Sequence, residues 1–175
     1  LFNFENITLH SQEDYSLTIN QGGSLFLAQG DIFTRRLRKL SNEVTGYTGS
    51  VDPFFTINTR YGTYFYDRYR KTFFSWTDQL TPIIDLKPFL NNFNSITNAG
   101  YLNSMISVYD NLTGNIYITD KVRGWTISYK PNAQGFISFH SFVPDWYVPH
   151  WNTFLSLKDG GAWKHNAENY QNYFG

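Results

Sequence analysis

The sequence predicts an all-β fold, a propeller-like array of antiparallel hairpins or blades with one short helix. Aromatic residues make up 19% of the chain and charged residues 16%, and aromatic side chains pack well across neighbouring strands. Thirteen glycines and many asparagines supply the backbone conformations that tight turns need. A strand–turn–strand unit also recurs along the chain, which is typical of repeated β-sheets.

Short strand-like runs alternate with turns that contain Gly, Asn or Asp, and this alternation indicates a meander of hairpins. In the first half of the chain the runs are YSLTI (15–19), SLFLA (24–28), IFTRRL (32–37), FFTIN (54–58), TYFYD (63–67) and KTFFSW (71–76). In the second half they are MISVY (105–109), IYIT (116–119), WTISY (125–129), FISFHSF (136–142), TFLSL (153–157) and AWKH (162–165).

One segment departs from the strand pattern, DLKPFLNNF at 85–93. Asp85 is a residue type that caps helix N-termini. Leu86, Phe89, Leu90 and Phe93 then recur at helical spacing. The segment therefore predicts the short helix, or a 3-10 turn, of an otherwise all-β chain.

An internal repeat supports the idea of blades. The run YFYDRYRKTFFSW (64–76) aligns without a gap with YITDKVRGWTISY (117–129), and both contain an Asp-x-x-Arg turn between two strands. Looser copies are found at 24–37 and 153–166. A period of about 40–50 residues is typical of propeller blades. We therefore expect one domain over residues 1–175, a whole or partial propeller, with blade-like repeats near 22–80 and 100–166.

Bulk composition excludes several classes of protein. The formal net charge is zero, so the chain has no overall field that would attract nucleic acid or an anionic membrane. It contains no cysteine and hence no disulfide. No apolar run approaches the roughly 18 residues that cross a bilayer, and no membrane insertion is expected. The chain starts at Leu1 and stops at NYFG, which we interpret as the ends of a fragment of a longer protein.

The motifs of common enzymes are missing from the sequence. His140, His150 and His165 have no metal-ligand spacing. Glycoside hydrolysis needs two carboxyl groups, for which Asp145, Asp110, Asp159 and Glu168 are the candidates. Most acids of the chain stand where Asp accepts backbone hydrogen bonds in turns. No nucleophile elbow or P-loop occurs. We expect no catalytic residue, no metal and no cofactor.

Two groups of residues are candidates for an interaction surface. Arg35, Arg36 and Arg38 form a local basic cluster, which we interpret as a charge-protected edge strand or a protein interface rather than a nucleic-acid site. Trp146, Tyr147 and Trp151 follow the strand-like run FISFHSF; the first two lie in DWYV (145–148), which we interpret as a bulky loop between Pro144 and Pro149. Such rings stack on sugars or serve as anchors at protein interfaces.

The C-terminal third also carries a family resemblance. Residues 125–129 (WTISY) and the run GFISFHSFVPDWYVPHWNTFLSLKDGGAWKHNAENYQNYFG (135–175) resemble the nozzle, muzzle or stabilisation proteins of short-tailed, crAss-like bacteriophages. The upstream run at 48–76 is similar to a blade of the same family. The resemblance covers roughly residues 22–175. Proteins of that family are much longer than this chain, in agreement with a fragment.

The resemblance implies a structural part of the virion. The chain would lie at the distal end of the phage tail, in a ring of copies around the DNA exit channel. Its partners would be other tail proteins and copies of itself, genomic DNA would pass without specific binding, and no residue would be catalytic. The alternative is a carbohydrate-binding β module of a phage or host-contact protein, which the Trp146, Tyr147 and Trp151 group favours.

Overall fold

The computed structural model describes residues 1–3, 7–10, 16–19, 23–26, 37–42, 46–70, 72–83 and 105–165. The chain divides into two compact units, Leu1–Gly49 and Ser50–Gly175. Within the described residues the regular structure is β-strand, apart from one 3-10 turn at Pro131–Ala133. The all-β class is thus confirmed. The helix predicted at 85–93 lies outside the described residues, and one domain over 1–175 stays a prediction.

The first unit contains short antiparallel strands. They are β1 (Phe2–Asn3), β2 (Thr8–His10), β3 (Ser16–Ile19), β4 (Gly23–Phe26), β5 (Arg38–Lys39), β6 (Ser41–Asn42) and β7 (Gly46–Tyr47). Strands β1, β2 and β5 form one sheet with β2 in the middle, while β3 pairs with β4 and β6 with β7. The runs predicted near 15–19 and 24–28 are therefore confirmed as the β3–β4 hairpin.

The described residues of the second unit form three sheets, and each is a meander in which sequential strands pair as neighbours. Meander 1 comprises β8 (Ile57–Thr59), β9 (Gly62–Asp67), β10 (Thr72–Trp76) and β11 (Leu80–Ile83). Meander 2 comprises β12 (Met105–Asp110), β13 (Asn115–Asp120), β14 (Trp125–Lys130) and β15 (Gly135–His140). Meander 3 comprises β16 (Trp146–His150), β17 (Thr153–Lys158) and β18 (Gly161–Lys164).

The gapless repeat of the sequence is also a repeat of the structure. Asp67 pairs with Thr72 where β9 turns into β10, and Asp120 pairs with Trp125 where β13 turns into β14. In both hairpins the aligned aspartate is the last residue of the first strand. The alignment therefore superimposes equivalent hairpins of meanders 1 and 2.

The short strands β1, β2, β6 and β7 of the first unit were not anticipated, and in the second unit two further strands were not, both of which contain proline. The segment at 145–148 was expected to be a loop, which is wrong, because β16 runs through it to His150 and includes Pro149. Strand β11 includes Pro82. Each of these strands lies at the edge of its sheet and pairs on one side only. An edge strand tolerates proline because its outer side needs no N–H donor.

Meander 2 lies between the other two sheets, and its strands β12 and β13 are packed on both faces. Alternate side chains of its strands point to opposite faces, so that Ile116 and Ile118 join one cluster while Tyr117 joins the other. The cluster shared with meander 1 consists of Phe55, Tyr64, Tyr66, Phe73, Met105, Tyr109, Ile116, Ile118, Ile127 and Tyr129. The cluster shared with meander 3 consists of Ile106, Val108, Tyr117, Phe142, Tyr147 and Phe154.

The first strands of the three meanders lie together. Strand β12 contacts both β8 and β16. The hydroxyl of Ser107 in β12 donates to the carbonyl of Phe55 at 2.8 Å, and its backbone N–H donates to that of Phe54 at 3.1 Å. These bonds fix the segment before β8 against the central sheet. No closed propeller is detected in the described part of the chain.

The aromatic core between meanders 1 and 2 makes a first prediction. Phe73 is fully buried, and its ring packs against Phe55, Tyr64 and Tyr129 at centroid distances of 5.6, 5.9 and 5.7 Å. We expect Phe73→Ala to lower the free energy of unfolding by about 3–5 kcal/mol, because it leaves a cavity between the sheets. Urea unfolding followed by circular dichroism measures the loss. The control is Val122→Ala in an exposed turn, and equal effects of the two changes would contradict the packing described.

Candidate functional site

The first hairpin turns of the three meanders, at 60–61, 111–114 and 151–152, lie side by side at one end of the sheets. We call this end the first-turn edge. A Cβ built on Gly114 would lie 3.5 Å from Nη2 of Arg60, so the first two turns are adjacent. The side-chain amide of Asn111 donates to the carbonyl of Trp151 at 3.4 Å, which joins the second turn to the third.

Trp151 is the most unusual residue of this edge. It lies in the turn between the paired residues His150 and Thr153, at the tip of the β16–β17 hairpin. Its φ is +47°, and its side chain is 89% exposed. A bulky residue with positive φ is a genuine outlier, because Cβ crowds the backbone there. Glycine or asparagine would suit the turn better. Neither packing nor turn geometry therefore accounts for tryptophan at this position.

Trp146 and Tyr147, predicted to share a surface with Trp151, face different surroundings. Trp146 is half-buried, packs edge-on against Phe54 at 4.4 Å, and has the Lys121 ammonium 5.5 Å from its ring centroid. Tyr147 is buried between meanders 2 and 3. The two alternate across β16, and Trp151 lies beyond the other end of that strand. The structure does not bring the three rings together.

The hydroxyl of Tyr147 belongs to a buried chain of hydrogen bonds. Thr126 donates to the carbonyl of Phe142 at 2.6 Å, and its oxygen lies 2.7 Å from that of Thr119. Thr119 therefore donates to Thr126, and Tyr147, at 2.7 Å, donates to Thr119. Burial raises the pKa of Tyr147 well above its ordinary value. This tyrosine is thus a cross-link between sheets and does not offer its ring to a ligand.

The predicted basic cluster is described in part. Arg38 is exposed in β5, at the edge of the first sheet, and Lys39 beside it places its ammonium 5.6 Å from the ring centroid of Tyr47. Arg35 and Arg36 lie outside the described residues. The location of Arg38 agrees with a charged edge strand, and its role as an interface residue stays a prediction.

Buried aspartates hold the turns of meanders 1 and 2. Asp67 accepts from the backbone N–H of Arg70 at 2.8 Å and pairs with its guanidinium at 3.1 Å. Asp120 accepts from the N–H groups of Val122 and Arg123 at 3.0 and 3.1 Å. Because these bonds occupy the carboxylates, the residues are structural. The Asp-x-x-Arg motif of the repeat therefore stabilises the hairpin turn.

The candidate catalytic carboxylates also have structural contacts. Asp110 accepts from the N–H of Leu112 at 3.0 Å and the hydroxyl of Thr113 at 2.7 Å. Asp145 is exposed and accepts from the backbone of Asp159, which lowers the pKa of Asp145, with a further contribution from Lys158. Glu168 is not among the described residues. Turn and ion-pair contacts thus account for Asp110 and Asp145, and Asp159 is exposed in the β17–β18 turn.

His165 and Ser156 form a buried pair that resembles part of a catalytic dyad. Nε2 of His165 lies 2.6 Å from Oγ of Ser156, and the ring stacks on Phe154 at 4.4 Å. Burial lowers the pKa of His165 to about 4. Both side chains are buried, so a substrate has no access to the hydroxyl. The described residues contain no group of three acids, histidines or cysteines arranged for a metal.

A cleft of about 480 Å³ lies between meanders 1 and 2. Its wall contains three tyrosines, the prolines of β11 and the 3-10 turn, and a set of neutral polar side chains. Tyr61, beside Arg60 in the first turn, and Asn132 and Gln134, in the connection after β14, are among the lining residues. Among the described residues of the wall there is no carboxylate and no cation.

The profile of the family described as Crassvirus muzzle protein matches residues 12–160. The chain belongs to the Crassvirus muzzle protein family. A search of curated protein sequences finds no significant match. Membership implies a structural component of the phage tail, and the family is not known for enzymes. The predicted family is therefore confirmed.

The described part of this muzzle-family chain carries no membrane-spanning helix, since none there is long and apolar enough to cross a bilayer.

A conspicuous surface feature of the described residues is the first-turn edge with Trp151. Sequence reasoning selected Trp151 for its residue type and missed Leu112, which is 64% exposed in the neighbouring turn. A leucine in the turn DNLTGN, where a polar residue is usual, is a signal that could have identified it.

The strained backbone of Trp151 makes a second prediction. We expect Trp151→Gly to be about 1 kcal/mol more stable than Trp151→Ala, because only glycine adopts the positive φ without crowding at Cβ. Both changes remove the same ring, which makes them matched controls for each other. Thermal unfolding measures the difference. A more stable alanine variant would show that the turn has another conformation.

The buried histidine makes a third prediction. The folded state binds a proton at His165 only below a pH of about 4, whereas the unfolded chain binds it near the ordinary value of 6.5. The stabilisation is therefore complete above pH 6.5 and is lost as pH falls towards 4, by on the order of 1–3 kcal/mol. Urea midpoints between pH 4 and 7.5 measure the loss. We expect a shallower dependence in His165→Gln, and an unchanged slope would contradict this origin.

Proposed function

We propose that the chain is a structural piece of the distal phage tail, where it forms part of a ring of copies around the DNA exit channel. The observation that carries the proposal is the family match over residues 12–160. The rigidity of the described sheets supports it. A scaffold that carries load needs fixed turns and close-packed faces, and the buried aspartates and the two aromatic clusters supply both.

We infer further that the three meanders are consecutive blades of a propeller. Propeller blades are antiparallel meanders that pack face to face with their first strands near the central axis. The contacts of β12 with β8 and β16 and the two aromatic clusters support this arrangement. A closed propeller needs about four to eight blades. The three meanders would therefore need further blades, from other parts of the chain or from other subunits, to form a closed propeller.

The proposed partners are other tail proteins and copies of the chain itself, with the virion tail as the location. DNA would pass without specific binding. The chain carries 14 basic and 14 acidic residues, and the cations Arg70, Arg123 and Lys158 each have an aspartate partner. Phosphate binding needs unpaired cations along the path of the DNA. A channel wall without net charge would let the DNA duplex pass without being bound.

A carbohydrate-binding module is the second candidate. The Trp146, Tyr147 and Trp151 group that motivated it is dispersed, but the cleft between meanders 1 and 2 favours it independently. Its volume of about 480 Å³ and its wall of tyrosines, hydroxyls and amides suit a neutral oligosaccharide. The cleft residues Asn132 and Gln134 would then carry the function.

Purified virions test the proposal as a fourth prediction. Quantitative mass spectrometry should find the chain at a fixed ratio of several copies per particle, because a ring has a defined number of subunits. Immunogold labelling should mark the distal end of the tail. The capsid proteins of the same particles calibrate the copy number. A chain that is absent from particles contradicts the proposal, and binding of neutral oligosaccharides that Asn132→Ala abolishes would favour the second candidate.

A further inference from the structure

Two large apolar side chains stand in solvent on the first-turn edge. Trp151 and Leu112 occupy the tips of neighbouring hairpins, where polar residues and glycine usually lie. Trp151 also holds a positive φ that disfavours any bulky residue. Violations of local rules without a structural gain are expected at functional sites. These two positions are therefore candidates for contact with another molecule.

The backbone under both side chains is fixed in advance. The carboxylate of Asp110 binds the N–H of Leu112 and the hydroxyl of Thr113, and its carbonyl accepts from Gly114 at 2.8 Å. The amide of Asn111 then ties this turn to the carbonyl of Trp151. A partner would meet a rigid surface, so that little conformational entropy is lost on binding.

The one charged residue within the three turns is a cation. Arg60 is exposed on the adjacent turn, and its guanidinium lies 4.9 Å from the ring centroid of Tyr61. Asp110, the last residue of β12 before the second turn, is buried and is bound by that turn. Exposed Asp78 lies in the β10–β11 turn, at the same end of meander 1 but further out in the sheet, while exposed Asp145 and Asp159 lie at the opposite end of meander 3. The complementary surface is therefore apolar with an acidic border.

We propose that the first-turn edge docks a second, different protein of the tail, with Trp151 inserted into an apolar socket that carboxylates border. Tryptophan and arginine are the residue types that dominate protein interfaces, and Leu112 and Arg60 flank the tryptophan here. The proposal rests on the proposed tail function in one respect only, that the partner is another tail protein.

Other occupants fit less well. A second copy would have to offer an acidic apolar socket, and the cleft in the described part of the chain has no carboxylate in its wall. An anionic membrane attracts clusters of about four to eight cations. The three turns contribute Arg60 alone among their residues. These alternatives remain distinguishable outcomes of the experiment.

The test uses virions that carry the full chain with a photo-crosslinking amino acid at one position. We choose Asn152→p-benzoylphenylalanine, next to Trp151 and exposed. The control is Val122→p-benzoylphenylalanine in an exposed turn at the opposite end of meander 2. The expected result is a crosslink from position 152 to one other virion protein, at an apolar segment flanked by Asp or Glu. Position 122 should not reach that segment.

Substitutions then identify the anchor. With the probe at 152, Trp151→Ala should lower the yield of this crosslink on the order of tenfold, as truncation of an anchor residue does. Trp151→Gly should lower it equally although glycine suits the turn, which separates lost contact from misfolding. Arg60→Glu should lower the yield while Arg60→Lys retains it. Val122→Ser is the surface control and should leave it unchanged.

Several outcomes would overturn the inference. Crosslinks from position 152 only to another copy of the chain or only to lipid would do so, as would a yield that Trp151→Ala leaves unchanged. A chain present in virions without a crosslink at 152 overturns this inference alone. A chain absent from virions overturns the proposed tail function together with the inference, so the two failures are separable.

Discussion

The second unit depends on one constraint, that strands β12 and β13 of meander 2 are packed on both faces. The apolar residues of these two strands alternate between the two aromatic clusters, so each of them packs against one neighbouring sheet or the other. A shift of the register by one residue would exchange the two clusters. Tyr117 would then lie where Ile116 and Ile118 now pack. The residue sequence of meander 2 therefore determines which side chains pack against meander 1 and which pack against meander 3.

The parts of this architecture with a local cause could be predicted from the sequence. The Asp-x-x-Arg turns of Asp67 and Asp120 need only residues within the same hairpin, and the gapless alignment located both. Strands β9, β10 and β12–β14 follow from alternation and turn residues. Strands β11 and β16 could not be recognised, because proline argues against a strand until the edge position is known.

The candidate site shows where such reasoning ends. Trp146, Tyr147 and Trp151 are close in sequence, but the strand period of two directs Tyr147 into the core. Trp151 is exposed because it lies in the hairpin turn beyond the end of β16. The first-turn edge itself is a product of stacking, since Arg60, Asn111 and Trp151 come from three different sheets. A single sequence contains no local signal for that proximity.

The meander topology has a consequence for how the chain folds. Every strand pair among the described residues of the second unit joins consecutive strands. Each of these sheets therefore forms by closing short loops, and contacts of low sequence separation form fast. Contacts between sheets, such as that of Ser107 with Phe55, span many more residues and come later. In the interval the aromatic faces of meander 2 are uncovered. During synthesis this central sheet is therefore the element most exposed to aggregation, until the sheet made after it has emerged from the ribosome.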